Sequence, residues 1–268
     1  MSEDSKGDRW ETSAEVSEWE TPVGVAESME QGEIIAVLRS SLERLARQRG
    51  WEHVYVGANN YFAWAPERPR EWVAPDVYVA SAPPKPRPKI WKTWLPGHSP
   101  PHWALEIVSV DWKKDYDQDP AKYEELGTRE LVLFDPDAAK GRTHTARRFP
   151  LTIYRRTAEG RLAVSYQGPG PAFSEELGIW LFPTSNDYQP LLRLSEDEAG
   201  TKIVLTTAEA EEAEHAGRVA ERAAREAERA AWEAERAEKV AAQEALAKAK
   251  AELDKLKREL RKRKKRKR

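Results

Sequence analysis

The amino-acid sequence predicts an α/β fold, a mixed sheet flanked by helices, followed by a long C-terminal helix. Two observations predict this arrangement. Short segments rich in Val, Ile, Tyr, Phe and Trp recur through residues 52–167, as is typical of strands. Residues 207–268, in contrast, consist mainly of Ala, Glu, Arg and Lys and contain no proline, which is typical of a long solvated helix.

The N-terminal part of the chain predicts a leader and a first helix. Residues 1–24 are polar and acidic, and they contain too few apolar side chains to offset the entropy of ordering, so we expect a flexible acidic leader. Further on, Ile34, Leu38 and Leu42 recur at helical spacing, and the pattern ends at Gly50, a residue typical of helix C-termini. This pattern predicts an amphipathic helix.

The strand candidates that follow are apolar runs separated by Pro and Gly. They are residues 52–57, 60–65, 76–80, 103–109, 130–136, 151–156 and 161–167. A helical segment over 120–126 separates two of these runs, which predicts a strand–helix–strand crossover. The proline-rich segment 81–101 is unsuited to a central strand and predicts a long surface loop. We expect one domain over 25–195 and a linker over 196–206.

The C-terminal segment 207–268 combines helix-favouring charge pairs with a short apolar seam. Glu221 and Arg225 stand four residues apart, as do other opposite charges along the segment. Leu246, Leu253 and Leu260 are spaced by seven residues, which indicates a coiled-coil seam and would allow a homodimer.

The net charge of −2 conceals a strong segregation of charge along the chain. Residues 207–254 carry a net −5, residues 255–268 carry +10, and the remaining residues 1–206 carry −7. The basic tip, residues 261–268, favours non-specific binding of phosphate polyanions. A solvated helix end, stabilised by cations at the negative pole of the helix dipole, explains the same residues equally well.

Composition excludes several classes of site. With no cysteine, the chain has no disulfide, no Cys-ligated zinc, no iron–sulfur cluster and no Cys nucleophile, so oxygen ligands and a hard ion such as magnesium are favoured. No Gly-rich phosphate loop is present, and we expect no nucleotide cofactor. The sequence lacks both an apolar run long enough to span a bilayer and an N-terminal apolar region, so we expect a soluble, cytoplasmic protein without a membrane partner.

Two acidic residues are the candidates for chemistry. Glu106 interrupts the apolar strand 103–109, and burying its carboxylate is costly unless a cation or a basic group compensates. Asp76 opens another predicted strand directly after Pro75, so that two strands could present carboxylates to one cleft. Considered alone, Asp76 also suits a strand-end cap, and Glu106 also suits an edge position or an ion pair.

The predicted loop 81–101 is the candidate nucleic-acid surface of the first domain. It carries Lys85, Arg87, Lys89 and Lys92 beside Trp91, and basic residues interleaved with aromatic ones suit contacts to a nucleic-acid backbone and its bases. An ordinary loop whose tryptophan covers the core is the competing interpretation.

The order of several short motifs resembles a known family. The motifs are Pro75-Asp76-Val77, Glu106-Ile107-Val108-Ser109, Asp115-Tyr116, Tyr123, Gly127 and Glu130 to Pro136. In this order they resemble the Uma-two family of restriction-endonuclease-like proteins, within the PD-(D/E)XK nuclease superfamily. The resemblance covers about residues 25–195 and leaves out the C-terminal helix.

The resemblance implies a restriction-endonuclease-like core and a DNA endonuclease that depends on Mg²⁺ or Mn²⁺. Asp76, Glu106 and the backbone carbonyl of Ile107 would then be the metal ligands. The superfamily places a catalytic lysine two residues after the glutamate, where this chain has Val108.

The family's alternative lysine position, on the following helix, corresponds to Asp119 here. Lys122, about one helical turn away, is the candidate for the catalytic lysine, with Lys113 and Lys114 as alternatives. The absence of lysine from both expected positions also supports a rival hypothesis. In that case a catalytically degenerate nuclease fold binds nucleic acid or acts as a scaffold through its C-terminal helix.

Overall fold

The computed structural model describes residues 29–143 and 145–266; the acidic leader predicted over 1–24 lies outside the described residues. The chain divides into two units, Met1–Thr207 and Ala208–Arg268. The helices and strands of the first unit are, in chain order, α1 (Met29–Gln48), β1 (Val54–Gly57), β2 (Tyr61–Ala63), β3 (Trp72–Val73), β4 (Val77–Ser81), β5 (Ile90–Lys92), β6 (Trp103–Ile107), α2 (Trp112–Asp117), α3 (Asp119–Leu126), β7 (Glu130–Phe134), α4 (Pro136–Ala139), β8 (Leu151–Arg156), β9 (Leu162–Gly168), β10 (Ala172–Ser174), β11 (Ile179–Ser185) and β12 (Pro190–Ser195).

A six-stranded mixed sheet forms the centre of the first unit. Its strand order is β1-β4-β6-β7-β8-β9, and β6 pairs with β7 in parallel while the other neighbours are antiparallel. Helices α2 and α3 connect β6 to β7. The predicted strand–helix–strand crossover is therefore confirmed, as is the α/β class with a mixed sheet.

One face of this sheet packs against α1 and against a second, antiparallel sheet of β10, β11 and β12. Leu38 and Leu42 of α1 are fully buried in one cluster with Leu105 of β6, Val132 of β7 and Leu192 of β12. The spacing of the α1 residues places them on one side of the helix, so the predicted amphipathic helix is confirmed.

The other face packs against α3 and a small third sheet with the order β3-β2-β5. Tyr78 of β4 and Leu133 of β7 lie in one cluster with Phe62 of β2 and Tyr123 of α3. Side chains alternate between the two faces along each strand, so the position of a residue in its strand decides which cluster it joins.

The prediction of a loop throughout 81–101 is wrong for β5. Residues Ile90–Lys92 pair in parallel with β2, at the edge of the small sheet. These three residues include no proline, and an edge strand needs hydrogen bonds on one side alone, so the surrounding prolines do not prevent the pairing.

The hairpin of β11 and β12, strand β10 and helix α2 are not predicted by the sequence patterns described above. In β11, Ile179 and Leu181 are buried while Trp180 and Phe182 are half-buried. This alternation is the signal of a strand that covers a core with one face.

The segment predicted as a linker, residues 196–206, lies within the first unit and packs against its helix α1 and strand β12. Val204 is buried, its N–H donates to the carbonyl of Leu194 at 2.8 Å, and its carbonyl accepts from the hydroxyl of Ser41 at 3.2 Å. These contacts fix the segment against β12 and α1.

The second unit is a single long helix, α5 (Thr207–Arg266). The pairs Glu221–Arg225, Arg222–Glu226 and Glu235–Lys239, each four residues apart, form salt bridges as predicted. They are exposed, so each contributes a few tenths of a kcal/mol, roughly 0.3–0.5. Among the described residues, no helix is both long and apolar enough to cross a membrane.

Candidate active site

Asp76 and Glu106 face each other across two neighbouring strands. Strand β4 begins at Val77, which pairs with Leu105 of the antiparallel β6, so Asp76 stands opposite Glu106 at the next position. Asp76 lies two residues before Tyr78, and Glu106 lies two residues after Ala104. Tyr78 and Ala104 belong to the second cluster, and side chains two residues apart in a strand share a face, so both carboxylates belong to the face that α3 covers. The structure thus brings together the two carboxylates that the sequence singled out.

The carboxylate of Asp76 is oriented by the backbone of β6. The N–H of Ile107 donates to Oδ2 of Asp76 at 2.6 Å. In a β-strand the N–H and the carbonyl of one residue point to the same side, so the carbonyl of Ile107 also points toward the Asp76 end of β4.

Glu106 accepts a hydrogen bond from a neutral group. The hydroxyl of Tyr123 on α3 donates to Oε1 of Glu106 at 2.5 Å. Burial raises the pKa of Glu106 well above its usual range, the negative charge of Asp76 raises it further, and the bond from Tyr123 opposes both effects. In the described part of the chain, no Lys or Arg lies within ion-pair distance of this carboxylate.

Asp119 of α3 holds two lysines beside this pair. Its carboxylate is almost completely buried, and its two oxygens accept from Nζ of Lys114 and Nζ of Lys122, both at 2.9 Å. Burial lowers the pKa of Lys114, but the hydrogen bond and charge of Asp119 outweigh that effect, and the pKa is raised. Lys114 is therefore a stable cation at neutral pH.

The charge of Lys114 acts on Glu106, and it lowers the pKa of this carboxyl. A turn fixes the lysine there: Oδ2 of Asp115 accepts from the N–H of Ser109 at 2.7 Å and from its hydroxyl at 2.9 Å. Oδ1 of Asp115 lies 3.6 Å from Nζ of Lys114. Residues of α2 thus carry the ammonium group to the end of β6.

The three lysines considered as catalytic candidates in the sequence have different surroundings in the structure. Val108, at the superfamily's usual lysine position, is buried in the apolar cluster. Lys122 contacts Asp119, and Lys113 is exposed with its ammonium 5.9 Å from the ring of Trp112. Lys114, named in the sequence as one of two alternatives, is the lysine whose charge reaches Glu106.

Tyr123 and Asp119 are site residues that sequence reasoning did not assign. The ring of Tyr123 packs in the second cluster, and its hydroxyl donates a hydrogen bond to Glu106. The sequence identifies Asp119 as the residue at a position where lysine is expected, whereas in the structure its carboxylate binds two lysines. The spacing of Asp119, Lys122 and Tyr123 on one helix is a signal that could have indicated the cluster.

The basic segment of the sequence is partly exposed and partly core. Lys85, Arg87 and Lys89 are exposed, and the guanidinium of Arg87 lies 4.6 Å from the ring centroid of Tyr55. Trp91, in contrast, is fully buried and stacks on Phe62, with 5.3 Å between the ring centroids. The expectation that Trp91 contacts bases is thus corrected: its side chain completes the small sheet, because alternation along β5 turns it inward while the adjacent Lys92 is half-buried.

The site offers oxygen donors for a cation. Within the described residues, no group of three or more His, Asp or Glu side chains is arranged to hold a metal ion. The donor set is therefore two carboxylates and one backbone carbonyl, from Asp76, Glu106 and Ile107. This set fits a hard divalent ion such as Mg²⁺, which binds few protein ligands and keeps several waters. Burial and, after it, the charge of Asp76 raise the pKa of Glu106, and a cation here would offset both effects.

Comparison with known proteins gives one family and a distant structural likeness. A family model described as "Putative restriction endonuclease" (Uma2) matches residues 7–180. Among solved structures, the chain is similar to a crystal structure described as a "putative nuclease belonging to DUF820" from Anabaena variabilis ATCC 29413. The sequence identity is 13%, the likeness covers 58% of this chain and 78% of the other, and the TM-score is 0.38. No curated protein matches the chain.

Proposed function

The chain belongs to the Uma2 family of putative restriction endonucleases, and from this premise we propose that it is a metal-dependent endonuclease that hydrolyses phosphodiester bonds in DNA. The observation that carries the proposal is the pair Asp76 and Glu106, two carboxylates on adjacent strands that face each other across the β4–β6 register. Burial and repulsion by Asp76 together raise the pKa of Glu106, and such shifts cluster at functional sites.

Asp76, Glu106 and the carbonyl of Ile107 would hold the ion, which we propose to be Mg²⁺ or Mn²⁺. When bound, such an ion would withdraw charge from the scissile phosphate and acidify water. The protein orients its own ligands without the ion: the N–H of Ile107 fixes Asp76, and the hydroxyl of Tyr123 fixes Glu106. Preorganised ligands reduce the cost of assembling the site during the reaction.

Lys114 is the proposed cation that stabilises the negative charge developing on the phosphate. Its bond to Asp119 keeps it protonated, so it acts as an electrostatic group and hydrogen-bond donor and does not serve as a base. Lys122 is the candidate that the sequence favoured, and it keeps the second oxygen of Asp119 occupied. We propose a positioning role for Lys122 through Asp119 and the direct catalytic role for Lys114.

DNA is the proposed substrate. Basic residues outside the carboxylate site can attract the DNA phosphates, while the carboxylate site itself performs the hydrolysis. Residues 1–206 carry a net charge of −7, which disfavours a polyanion at long range. The exposed Lys85, Arg87 and Lys89 and the basic residues 255–268 provide local attraction.

Cleavage of supercoiled plasmid tests the proposal. The full chain with Mg²⁺ should convert supercoiled DNA to nicked or linear forms, and Asp76→Asn or Glu106→Gln should each reduce the rate by at least about 100-fold. Asp117→Asn is the matched control, because Asp117 is an exposed carboxylate that pairs with Arg147. Equal nicking by wild type and Glu106→Gln would overturn the assignment.

The roles of the two lysines are separated by a second pair of variants. Lys114→Met should lower the cleavage rate more than Lys122→Met, by about tenfold, because the charge of Lys114 acts on the carboxylate site. If Lys122→Met is the more damaging change, the sequence-based assignment of Lys122 is the correct one.

A second candidate function is nucleic-acid binding or scaffolding by a catalytically degenerate site. It is supported by Val108 and Asp119 at the two positions where lysine is expected. In this case DNA binding should weaken steeply with salt, Mg²⁺ should produce no cleavage, and removal of residues 207–268 should abolish binding. Binding that survives this truncation would contradict it.

A further inference from the structure

Helix α5 changes character near residue 240. Before that point, its charged side chains pair with one another along the helix at a spacing of four residues, as in Arg229–Glu233 and Lys239–Glu235. Beyond Lys239, the described residues of α5 form no such pair. The charges of the last part of the helix therefore remain available to a partner.

The same part of α5 presents a row of leucines to solvent. Leu246, Leu253, Leu256 and Leu260 each expose between 51% and 59% of their surface. Leu246, Leu253 and Leu260 are spaced by seven residues and occupy the a positions of a heptad pattern, and Leu256 occupies a d position. Two helices that pack with such rows facing each other bury them between their axes.

This apolar row is short. Toward the start of the helix, the first charged residues at a and d positions are Lys239 and Glu235, so the row is confined to residues 242–260. Alanine occupies the d positions 242 and 249. Since alanine buries little area, the charges beside the row have a large share in deciding how two helices pair.

The charges on the two sides of the row have opposite signs. Glu252 and Glu259 occupy g positions, whereas Lys250 and Lys257 occupy e positions. In a parallel pair, each g position lies beside the e position five residues further along the other helix, so Glu252 of one copy meets Lys257 of the other, twice by symmetry. An antiparallel pair places g beside g and e beside e, which brings like charges together.

We infer that residues 242–260 of α5 bind a second copy of the same chain as a parallel pair of helices, with Leu253 opposite Leu253 and Glu252 beside Lys257 of the other copy. The inference rests on the helix alone and does not depend on nuclease activity. In a parallel pair, residues 261–268 of the two copies, all Lys or Arg, follow the row at the same end. Their mutual repulsion opposes association most strongly at low salt.

Sedimentation equilibrium of the full chain without nucleic acid tests the association. At about 0.5 M NaCl and about 100 µM protein, the wild type should have the mass of two copies, whereas Leu253→Glu/Leu256→Glu should have the mass of one. Ala247→Glu/Ala251→Glu is the matched control, because it adds the same charge on the side of the helix away from the row. Its dissociation constant should stay within about threefold of the wild-type value.

A wild-type chain that is monomeric under these conditions would overturn the inference. Equal loss of association in the two double variants would overturn it as well.

Disulfide trapping tests orientation and register, because the natural sequence contains no cysteine. Leu246→Cys should link to a second copy of itself under mild oxidation, since identical a positions face each other in a parallel pair. Ala251→Cys is the control, because residue 251 is exposed at an f position on the opposite side of the helix. Linkage of Leu246→Cys no more efficient than that of Ala251→Cys would overturn the parallel pair.

Glu252→Lys tests the orientation through charge. In a parallel pair the substituted side chain faces Lys257, so the dissociation constant at about 0.15 M NaCl should rise about fivefold. An equal mixture with Lys257→Glu should recover the wild-type constant, because each g position then faces an opposite charge. An antiparallel pair requires the opposite result, since the substitution would relieve the contact between Glu252 and Glu259, and tighter association of Glu252→Lys alone would overturn the inference.

The salt dependence of the wild type gives an independent measurement. Raising NaCl from about 0.05 M to about 0.5 M screens the repulsion between the two basic ends and should lower the dissociation constant several-fold. Association that weakens over this range would show that the basic ends do not lie side by side, and it would overturn the parallel orientation.

Discussion

The central sheet carries two pairs of acidic residues, one at the two ends of β7 and the other across the neighbouring strands β4 and β6. The groups that compensate their charge differ between the two pairs. At the ends of β7, Glu130 and Asp135 are buried and meet arginines: Arg155 lies 3.1 Å from Oε2 of Glu130, and Arg148 binds both oxygens of Asp135 at 2.7 and 2.8 Å. Across β4 and β6, Asp76 and Glu106 instead face one another.

The two pairs differ in how much of the carboxylate charge is neutralised by the groups that bind it. An arginine whose two N–H groups match the two oxygens of a carboxylate neutralises it locally. Glu106 takes its bond from the neutral hydroxyl of Tyr123, and its pKa is raised by burial and by Asp76. The first arrangement stabilises a fold, and the second keeps negative potential available for a cation. A buried carboxylate therefore indicates a functional site when the groups that bind it are neutral, and a structural role when they are arginines.

The largest expected effect comes from removing compensation at β7. Arg148→Met leaves Asp135 fully buried without its guanidinium, and the free energy of unfolding should fall by about 3–5 kcal/mol. Urea denaturation measures the change. Asp135→Asn combined with Arg148→Met should recover part of the loss, because the amide carries no charge and still caps α4 at Ala138.

Arg147→Met is the matched control for this change. Arg147 pairs with Asp117, and both side chains are exposed, so its loss should cost about 0–1 kcal/mol. Equal effects of the two substitutions would remove the distinction between a compensated buried carboxylate and a surface pair.

Neutralising Glu106 should have the opposite sign and a smaller size. Since folding raises the pKa of this acid, its ionisation disfavours the folded state, and the wild type loses stability as the pH rises from the unfolded pKa toward the folded one. Glu106→Gln removes this loss and can still accept the bond from Tyr123. In the presence of EDTA the variant should be more stable than wild type by about 1 kcal/mol at about pH 8, with a smaller difference at about pH 5.

Glu67→Gln provides the control, since Glu67 is exposed and lies at 3.8 Å from its partner Arg68. Its unfolding free energy should change by less than about 0.5 kcal/mol at either pH. A Glu106→Gln protein less stable than wild type at the higher pH would mean that the Glu106 charge is compensated after all.

Much of the architecture around these carboxylates can be predicted from the sequence. The apolar runs that become β4, β6 and β7, and the helical segment between β6 and β7, determine the crossover. The proline before Asp76 indicates where β4 begins. Glu106 is recognised because it is a charged residue within the apolar run 103–109. The neighbouring strands then bring the two residues opposite each other.

The rest of the site depends on short elements that have no clear sequence pattern. Helix α2 is six residues long, too short for a helical period to stand out, so the position of Lys114 cannot be read from spacing. The three-residue strand β5 likewise does not indicate which of its side chains points inward, and Trp91 turned out to be core. For Tyr123, packing and hydrogen bonding use different atoms of one side chain, and a pattern of apolar positions predicts packing alone.

Removing the Tyr123 hydroxyl is the smallest change that sharpens the comparison. The bond from Tyr123 lowers the pKa of Glu106 against the effects of burial and Asp76, so Tyr123→Phe should raise that pKa further. The carboxylate form that binds a cation then appears at higher pH, and the pH dependence of Mn²⁺ affinity, measured by calorimetric titration, should move upward. The stability cost should be about 0.5–1.5 kcal/mol, the usual size for one hydrogen bond.

Tyr116→Phe makes the same chemical change at a hydroxyl that bonds Asp135 at 3.3 Å, and it should leave the pH dependence of Mn²⁺ binding in place. If both variants shift the profile equally, the effect comes from general loosening of the α2–α3 region. A shift confined to Tyr123→Phe would show that the hydroxyl of Tyr123, a neutral donor, controls the pKa of Glu106. At the end of β7 the corresponding partner of the buried carboxylate is an arginine.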